Sequence, residues 1–306
     1  MKTIPQSIIL IALTMVYLTA AASTGESNTA EPGIDPTGVT YQQQTQFGDL
    51  DEIATRGILR VLVTHSKTDF FIDHGQIRGV QAEYVQEFLK KLNQSRTNRF
   101  HASESNRIIP QFVPVAFDEL IPSLLAGKGD IAAAFLTMTP ERDADVDFIS
   151  PQGRFVDEIL VAHKDAEPIK SLADLAGRTV YVLKGSSYAS HLLELNEQLE
   201  IVELPPVNMI NTDAQLLTED ILELVNAGIV DYTVCDDFKA NLWAKALPDI
   251  RVYRDIRVSS DQSVGWVIRP NSPQLKAALD TFSKNVKKGS FLGNLLFNKY
   301  YASTQW

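Results

Sequence analysis

The chain carries one cysteine, Cys235, in 306 residues, which excludes an internal disulfide and every metal site built from several thiolates. Basic residues are in deficit, 28 Lys plus Arg against 38 Asp plus Glu. A net charge of −10 argues against a partner held by its phosphates, so nucleic acid is not an expected partner. The five histidines, at 65, 74, 101, 163 and 191, fall at no metal-ligand spacing, and neither a metal nor a cofactor is expected. HExxH, the P-loop and GxSxG are all missing, which leaves zinc hydrolysis, nucleotide hydrolysis and serine-esterase chemistry without support. The carboxylates are many, but no pair is marked out for acid–base work. What remains is an ordinary globular composition, 44% hydrophobic and 22% charged, in a length that suits one large domain or two modest ones.

Lys2 is the only charge before Glu26, and an apolar stretch from Ile8 to Leu18 closes in Ala20, Ala21 and Ala22. A basic start, a short apolar core and an Ala-x-Ala end read as a secretory signal peptide over residues 1–22, cut before Ser23. The apolar run is shorter than the about 20 residues that span a bilayer, which favours cleavage over an uncleaved anchor. No cysteine lies near the cut, so lipid attachment there is excluded. Residues 23–47, with Pro32, Gly33, Pro36, Gly38 and three consecutive glutamines, have no apolar period and read as a flexible linker.

From Asp49 onward the pattern alternates. Ile58–Val63 is a β-rich run, and Val80, Tyr84, Val85, Phe88, Leu89 and Leu92 repeat at helical spacing. Phe117–Leu125 reads as a short helix and Ile131–Phe135 as a buried strand. Thr179–Leu183 is another strand, followed by a helix carrying Leu192, Leu193 and Leu199. Ile201–Leu204, Leu216–Val225 and Val230–Val234 continue the strand, helix, strand order. Val264–Ile268 is a late strand, and Leu275, Ala278, Leu279, Phe282 and Val286 form one helix face. Such alternation predicts an α/β fold with parallel sheets covered on both faces. Gln94–Asn106 is polar and basic and reads as an exposed insertion.

Three strand ends carry candidate binding chemistry. Thr137, Thr139, Pro140 and Arg142 follow the strand at Ile131–Phe135, with Thr139 suited to an N-cap and Pro140 to the first helical position. Backbone N–H groups, hydroxyls and the Arg142 fork would hold a carboxylate there; a plainly capped helix with a solvated arginine accounts for the same residues. Gly185, Ser186 and Ser187 are a second anion site or a plain turn. Asp236, where the strand at Val230–Val234 stops, would take a ligand ammonium or cap a helix. Cys235 beside it has no basic neighbour and reads as a small core residue.

Taken in order, these blocks resemble the family 3 extracellular solute-binding proteins, which bind polar amino acids. Gly57 to Val61 looks like the family's first strand, and Leu124 to Asp130 like its L-x-x-G-x-x-D turn. Thr139 to Arg142 with Val146 to Pro151 is similar to its T-x-x-R…V-x-F-S-x-P block. Ser171 to Gly177 with Val180 to Ser187 is similar to its S-L-x-D-L-x-G…G-S-S block. The likeness covers residues 50–300 and implies a two-lobed, type II periplasmic-binding-protein fold with a two-stranded hinge, exported to the periplasm. Lobe 1 would be 48–158 plus 263–306, lobe 2 would be 159–262, and the hinge strands Ile159–His163 and Arg257–Val264. The resemblance assigns Arg142, Thr137 and Thr139 to a ligand carboxylate and Asp236 to an α-amino group. Ser186, Ser187, His65 and Asp69 join the ligand set, with Phe70 or Phe71 loosely matching the stacking aromatic. The sequence departs from the family where Gly79 precedes Val80 and Gln81 instead of Phe-Asp, and where Phe135 replaces a serine.

A narrower likeness runs through Glu219–Ile221, Val230–Thr233, Asp236, the loop around His65 and Asp255–Trp266. These resemble the binding domain of membrane-bound lytic murein transglycosylase F, in which a lysozyme-like domain with an essential Glu-Ser glutamate would follow residue 306. The Glu-Ser pairs here, Glu26-Ser27 and Glu104-Ser105, sit on no apolar helix, so the chain is expected not to cleave glycan. The expected function is an exported binding protein that clamps an amino-acid-like small molecule. The alternative is the non-catalytic sensor module of a lytic transglycosylase, binding peptidoglycan-derived peptides. A transporter permease is the partner implied by the first reading, a peptidoglycan-linked protein by the second.

Overall fold

The computed structural model describes residues 45–100, 107–150 and 154–302, with the backbone alone for 97–100. The expected signal peptide, nearly all of the expected linker, both Glu-Ser pairs and Pro151 lie outside the described residues.

The fold opens on helix α1 (Leu50–Arg56), capped by Asp49, whose carboxylate accepts from the backbone while Glu52 reaches back to the Asp49 N–H. It stops at Gly57, φ 71°, and the chain enters strand β1 (Ile58–Val63). Side chains alternate across β1. Val61 and Val63 join the core cluster that contains Phe88 and Leu279, while Leu62 packs on the opposite face with Leu120 and Leu124. A hairpin of β2 (Phe71–Asp73) and β3 (Gln76–Arg78) precedes α2 (Val80–Phe100). Strands β4 (Ile109–Pro114) and β5 (Ile131–Thr137) flank β1 in parallel, with α3 (Leu120–Leu125) between them in the chain.

Arg60 is charged yet buried in β1. It belongs there because its guanidinium reaches Asp130 Oδ1 at 2.7 Å and the Gly127 carbonyl at 2.7 Å. Arg56 and Arg269 close on the same carboxylate. Burial alone would raise the Asp130 carboxyl; Arg60 and Arg56 hold it below the usual carboxylate range.

After α4 (Pro140–Asp145) and β6 (Asp147–Ile149), strand β7 (Phe155–His163) begins a second sheet. This sheet adds β8 (Thr179–Val182), α5 (Ser187–Ile201), β9 (Asn208–Asn211), α6 (Thr218–Asn226), β10 (Tyr232–Asp236) and α7 (Asp237–Trp243). Strand β11 (Ile250–Ile268) returns along β7 from Ile250↔His163 to Ser263↔Phe155, through three register shifts, and then pairs β5 and β6. Helices α8 (Pro273–Ser283) and α9 (Phe291–Tyr301) close the described chain. The strand order is β4-β1-β5-β11-β7-β10-β8-β9, with β6 also on β11.

Two expectations are corrected. The sheet is mixed and not purely parallel, because β6, β7 and β11 run antiparallel to their neighbours. Ile201–Leu204 is no strand. α5 runs through Ile201, and the strand is the half-exposed β9 seven residues on, where two asparagines flank Met209 and Ile210. The polar stretch from Gln94 is exposed at Gln94 and Ser95, and α2 continues through it to Phe100, since nothing between Gln94 and Phe100 breaks a helix.

Candidate functional site

The end of β5 delivers Thr137, and Thr139 caps α4 with its hydroxyl accepting from the Arg142 N–H at 3.4 Å and Pro140 at the first position. This places Arg142 where the sequence reading had it. Its guanidinium, however, is engaged by the protein. Nη1 donates to the Thr137 carbonyl and Nη2 to the Gly185 carbonyl, both at 2.8 Å. Arg142 therefore ties the end of the first sheet to the loop after β8. Three of its five N–H donors are left for a ligand. Burial pulls the Arg142 pKa down, and Glu158, Tyr188, Glu141 and Asp236 pull it back up.

Gly185 has φ 75°, and a Cβ there would lie 2.7 Å from the Asp118 Cβ. Only glycine allows that approach. Lys184 reinforces it, 2.8 Å from Asp118. Ser186 caps α5 and donates from Oγ to the Leu183 carbonyl at 2.6 Å. Ser187 donates to Glu158 Oε1 at 2.6 Å. Both hydroxyls are spent as donors and keep only acceptor capacity.

Glu158, fully buried on β7 opposite Asp236 in register, escaped the sequence reading. Its second oxygen meets His191 Nδ1 at 2.6 Å, and that contact raises the His191 pKa. A signal existed: Glu158 shares strand parity with the buried Val156 and Leu160, whereas Asp157 points the other way. Asp236 is buried at the end of β10, its Oδ1 accepting from the Tyr188 hydroxyl at 3.0 Å. Burial pushes its carboxyl up to about 7; Lys239 opposes the rise and Glu158 adds to it.

A second cluster adjoins the first. Lys239 of α7 is 3.4 Å from Asp69 Oδ2, and Tyr301 of α9 donates to Asp69 Oδ1 at 2.5 Å. Burial lowers the Lys239 pKa, but Asp69, Glu219 and Asp236 more than reverse this. Glu219, also buried, accepts from the Lys67 backbone N–H at 2.7 Å. Between Asp69, Phe135, Leu183, Thr218, Glu219 and Lys239 only about 20 Å³ of space remains, room for roughly one water. Lys239 was not singled out in the sequence, although it lies three residues beyond Asp236 and four before the buried Trp243, on one helix face.

Of the ten residues expected to bind ligand, Asp69 lines this gap, while Thr137, Thr139 and Arg142 sit where β5 ends and α4 begins, Ser186 and Ser187 where α5 begins, and Asp236 at the end of β10. The expected aromatics pack against other rings of the protein. Phe70 is a core residue packed on Phe112, because β-bridge pairing of Ser66 with Phe70 turns its ring inward. Phe71 packs edge-on against Tyr300. His65 is exposed, edges the Phe70 ring and makes no hydrogen bond among the described residues.

The model of the bacterial extracellular solute-binding proteins, family 3, matches residues 59–302. The membrane-bound lytic murein transglycosylase F of Desulfosudis oleivorans is 32% identical over 188 residues, 61% of this chain and 39% of its own length. That of Alcanivorax borkumensis is 30% identical over 221 residues, 72% of this chain and 43% of its own. The chain thus spans less than half the length of these relatives, and the part it shares is their binding part. Among solved structures, an ancestral arginine-binding protein bound to arginine is similar at TM-score 0.64 and 25% identity, over 80% of this chain and 99% of that one. An ancestral amino acid-binding protein, a precursor of cyclohexadienyl dehydratase, is similar at TM-score 0.61 and 28% identity, over 82% and 98%. These neighbours have two lobes, as the two sheets joined through β7 and β11 do here. With a match that runs from β1 to the end of α9, the chain belongs to family 3 of the bacterial extracellular solute-binding proteins.

Proposed function

We propose that this chain binds an amino-acid-like zwitterion between its two lobes. One observation carries the reading: the Arg142 guanidinium, tied to the Gly185 carbonyl after β8, feels the charge of two buried carboxylates, Glu158 and Asp236. The remaining Arg142 donors with Thr137 and Thr139 suit the ligand carboxylate, and Asp236 with Glu158 suits its ammonium. The adjoining gap between Asp69 and Lys239, about 20 Å³, is too small for an amino acid. Binding therefore requires the lobes to part, with β7 and β11 as the hinge. Opening breaks Arg142 to Gly185, Lys239 to Asp69, Lys184 to Asp118 and Lys67 to Glu223. The exposed lysine pairs cost little to break. A ligand that replaces the buried ones shifts the population toward its own closed form.

A second reading is favoured by the transglycosylase F relatives, of which this chain spans less than half. The same cleft would then be the sensor of a cell-wall lytic enzyme, its zwitterion a peptidoglycan-derived peptide and its partner linked to peptidoglycan. In the first reading the partner is a transporter permease. Both readings place the chain outside the cytoplasm, in the periplasm. Neither gives it catalysis, so the purified chain should leave peptidoglycan intact, and soluble muropeptides above a no-protein control would refute that. A thermal-shift screen of the standard amino acids and of peptidoglycan stem peptides tests the binding function. At least one compound should raise the melting temperature of the wild type and fail with Arg142→Ala. No shift with any compound, or equal shifts in both proteins, would refute the cleft.

A further inference from the structure

Buried arginines in this fold are paired. Arg60 and Arg269 share Asp130, and their other N–H groups reach the carbonyls of Gly127 and Gly129. Arg154, at the head of β7, breaks the pattern. It is only 9% exposed, its Nε has no hydrogen-bond partner, and among the described residues no carboxylate pairs with it. Its guanidinium instead lies 4.4 Å from the Phe297 ring centroid and 5.6 Å from that of Phe135. Stacking on aromatic faces offsets part of the cost of a buried cation, but leaves its Nε donor unanswered.

Arg154 lines a cavity of about 300 Å³, at the lower end of the range for small-molecule pockets. Its walls are the rings of Phe135, Phe155, Phe238 and Phe297. Asp237 and Lys288 also line it and offset each other's charge, so the uncompensated charge is that of Arg154. The cavity shares only Phe135 with the gap between Asp69 and Lys239. The geometry points to a second binding site, independent of the proposed amino-acid cleft, in which Arg154 holds the carboxylate of a flat, single-ring organic acid between the phenylalanines. A fork that presents two parallel N–H groups suits a carboxylate, and the ring walls exclude a small, fully hydrated anion.

Benzoate is the probe, titrated by calorimetry into the full chain, with acetate as the charge-only control and benzyl alcohol as the ring-only control. Benzoate should bind saturably and both controls should not. Arg154→Met should weaken benzoate at least tenfold, and Arg142→Ala should leave it unchanged. Asn298→Trp, an exposed position on α9 at the cavity wall, should block benzoate without lowering the melting temperature, so the outcome does not hang on how well Arg154→Met folds. The site is overturned if benzoate does not saturate, if benzyl alcohol binds as well, or if benzoate binds Asn298→Trp and a folded Arg154→Met like the wild type. Loss of benzoate in Arg142→Ala would place it in the main cleft and equally overturn the second site.

Discussion

Asp236 is a carboxyl that this fold keeps at a cost, and removing its charge should stabilise the free protein. Burial raises it to about 7 from a usual value of 3.8, a shift of about 3 units at about 1.4 kcal/mol each. The sign follows from proton binding. Between those two values the folded state holds the proton and the unfolded state does not, so stability falls as pH rises from about 4 to about 7 and levels off above. The full effect is about 4 kcal/mol, an upper bound because the site can relax around the ionised carboxylate. Asp236→Asn keeps an oxygen to accept from Tyr188 and removes the titration. In urea unfolding followed by tryptophan fluorescence, the variant should be the more stable protein at pH 8. Its advantage should shrink by about 2 to 3 kcal/mol on going to pH 5. The same variant should bind an amino-acid ligand more weakly, which is the reason to retain a costly acid at this position. An advantage independent of pH, or a variant less stable than wild type at pH 8, would refute the reasoning.

Asp130→Ala leaves Arg56, Arg60 and Arg269 without their shared carboxylate and should destabilise the fold by about 3–5 kcal/mol; a loss under about 1 kcal/mol in urea unfolding would show that the cluster is not structural. Wild-type stability from Asp130 is present above the unfolded carboxylate pKa and is lost as pH falls through its lower folded value. Glu158→Gln removes the charge that raises the His191 pKa, so the His191 titration seen by NMR should move down in pH; no movement would mean Glu158 is not its partner.

The parts of this fold that could be read from sequence are those where burial writes a period. β1, β5, β8, β10 and the face of α8 are apolar at the spacing their geometry demands. β9 was missed because an edge strand that is half exposed has no apolar run to show, while the exposed Ile201, Val202 and Leu204 supplied a false one. β11 hides its length for another reason. Its first half carries Arg251, Arg254, Asp255 and Arg257 and is held by backbone pairing to β7, to which side-chain pattern is blind. In the site, the blocks that end β5 and β8 were legible because caps and glycines have local causes. Glu158, Lys239 and Tyr301 were not, since each matters through a partner 29 to 232 residues distant. The packing of Phe70 on Phe112 is likewise visible only in the tertiary structure.

The central claim is that Arg142 and Asp236 grip the two charged ends of one ligand. Calorimetric titration of a compound that shifts the melting temperature, beside its N-acetylated and C-amidated derivatives, measures this most directly. Blocking either end should weaken binding at least tenfold, since each removes one charge-assisted contact worth roughly 1.5–3 kcal/mol. Equal affinity for the free compound and for either blocked derivative would contradict the account.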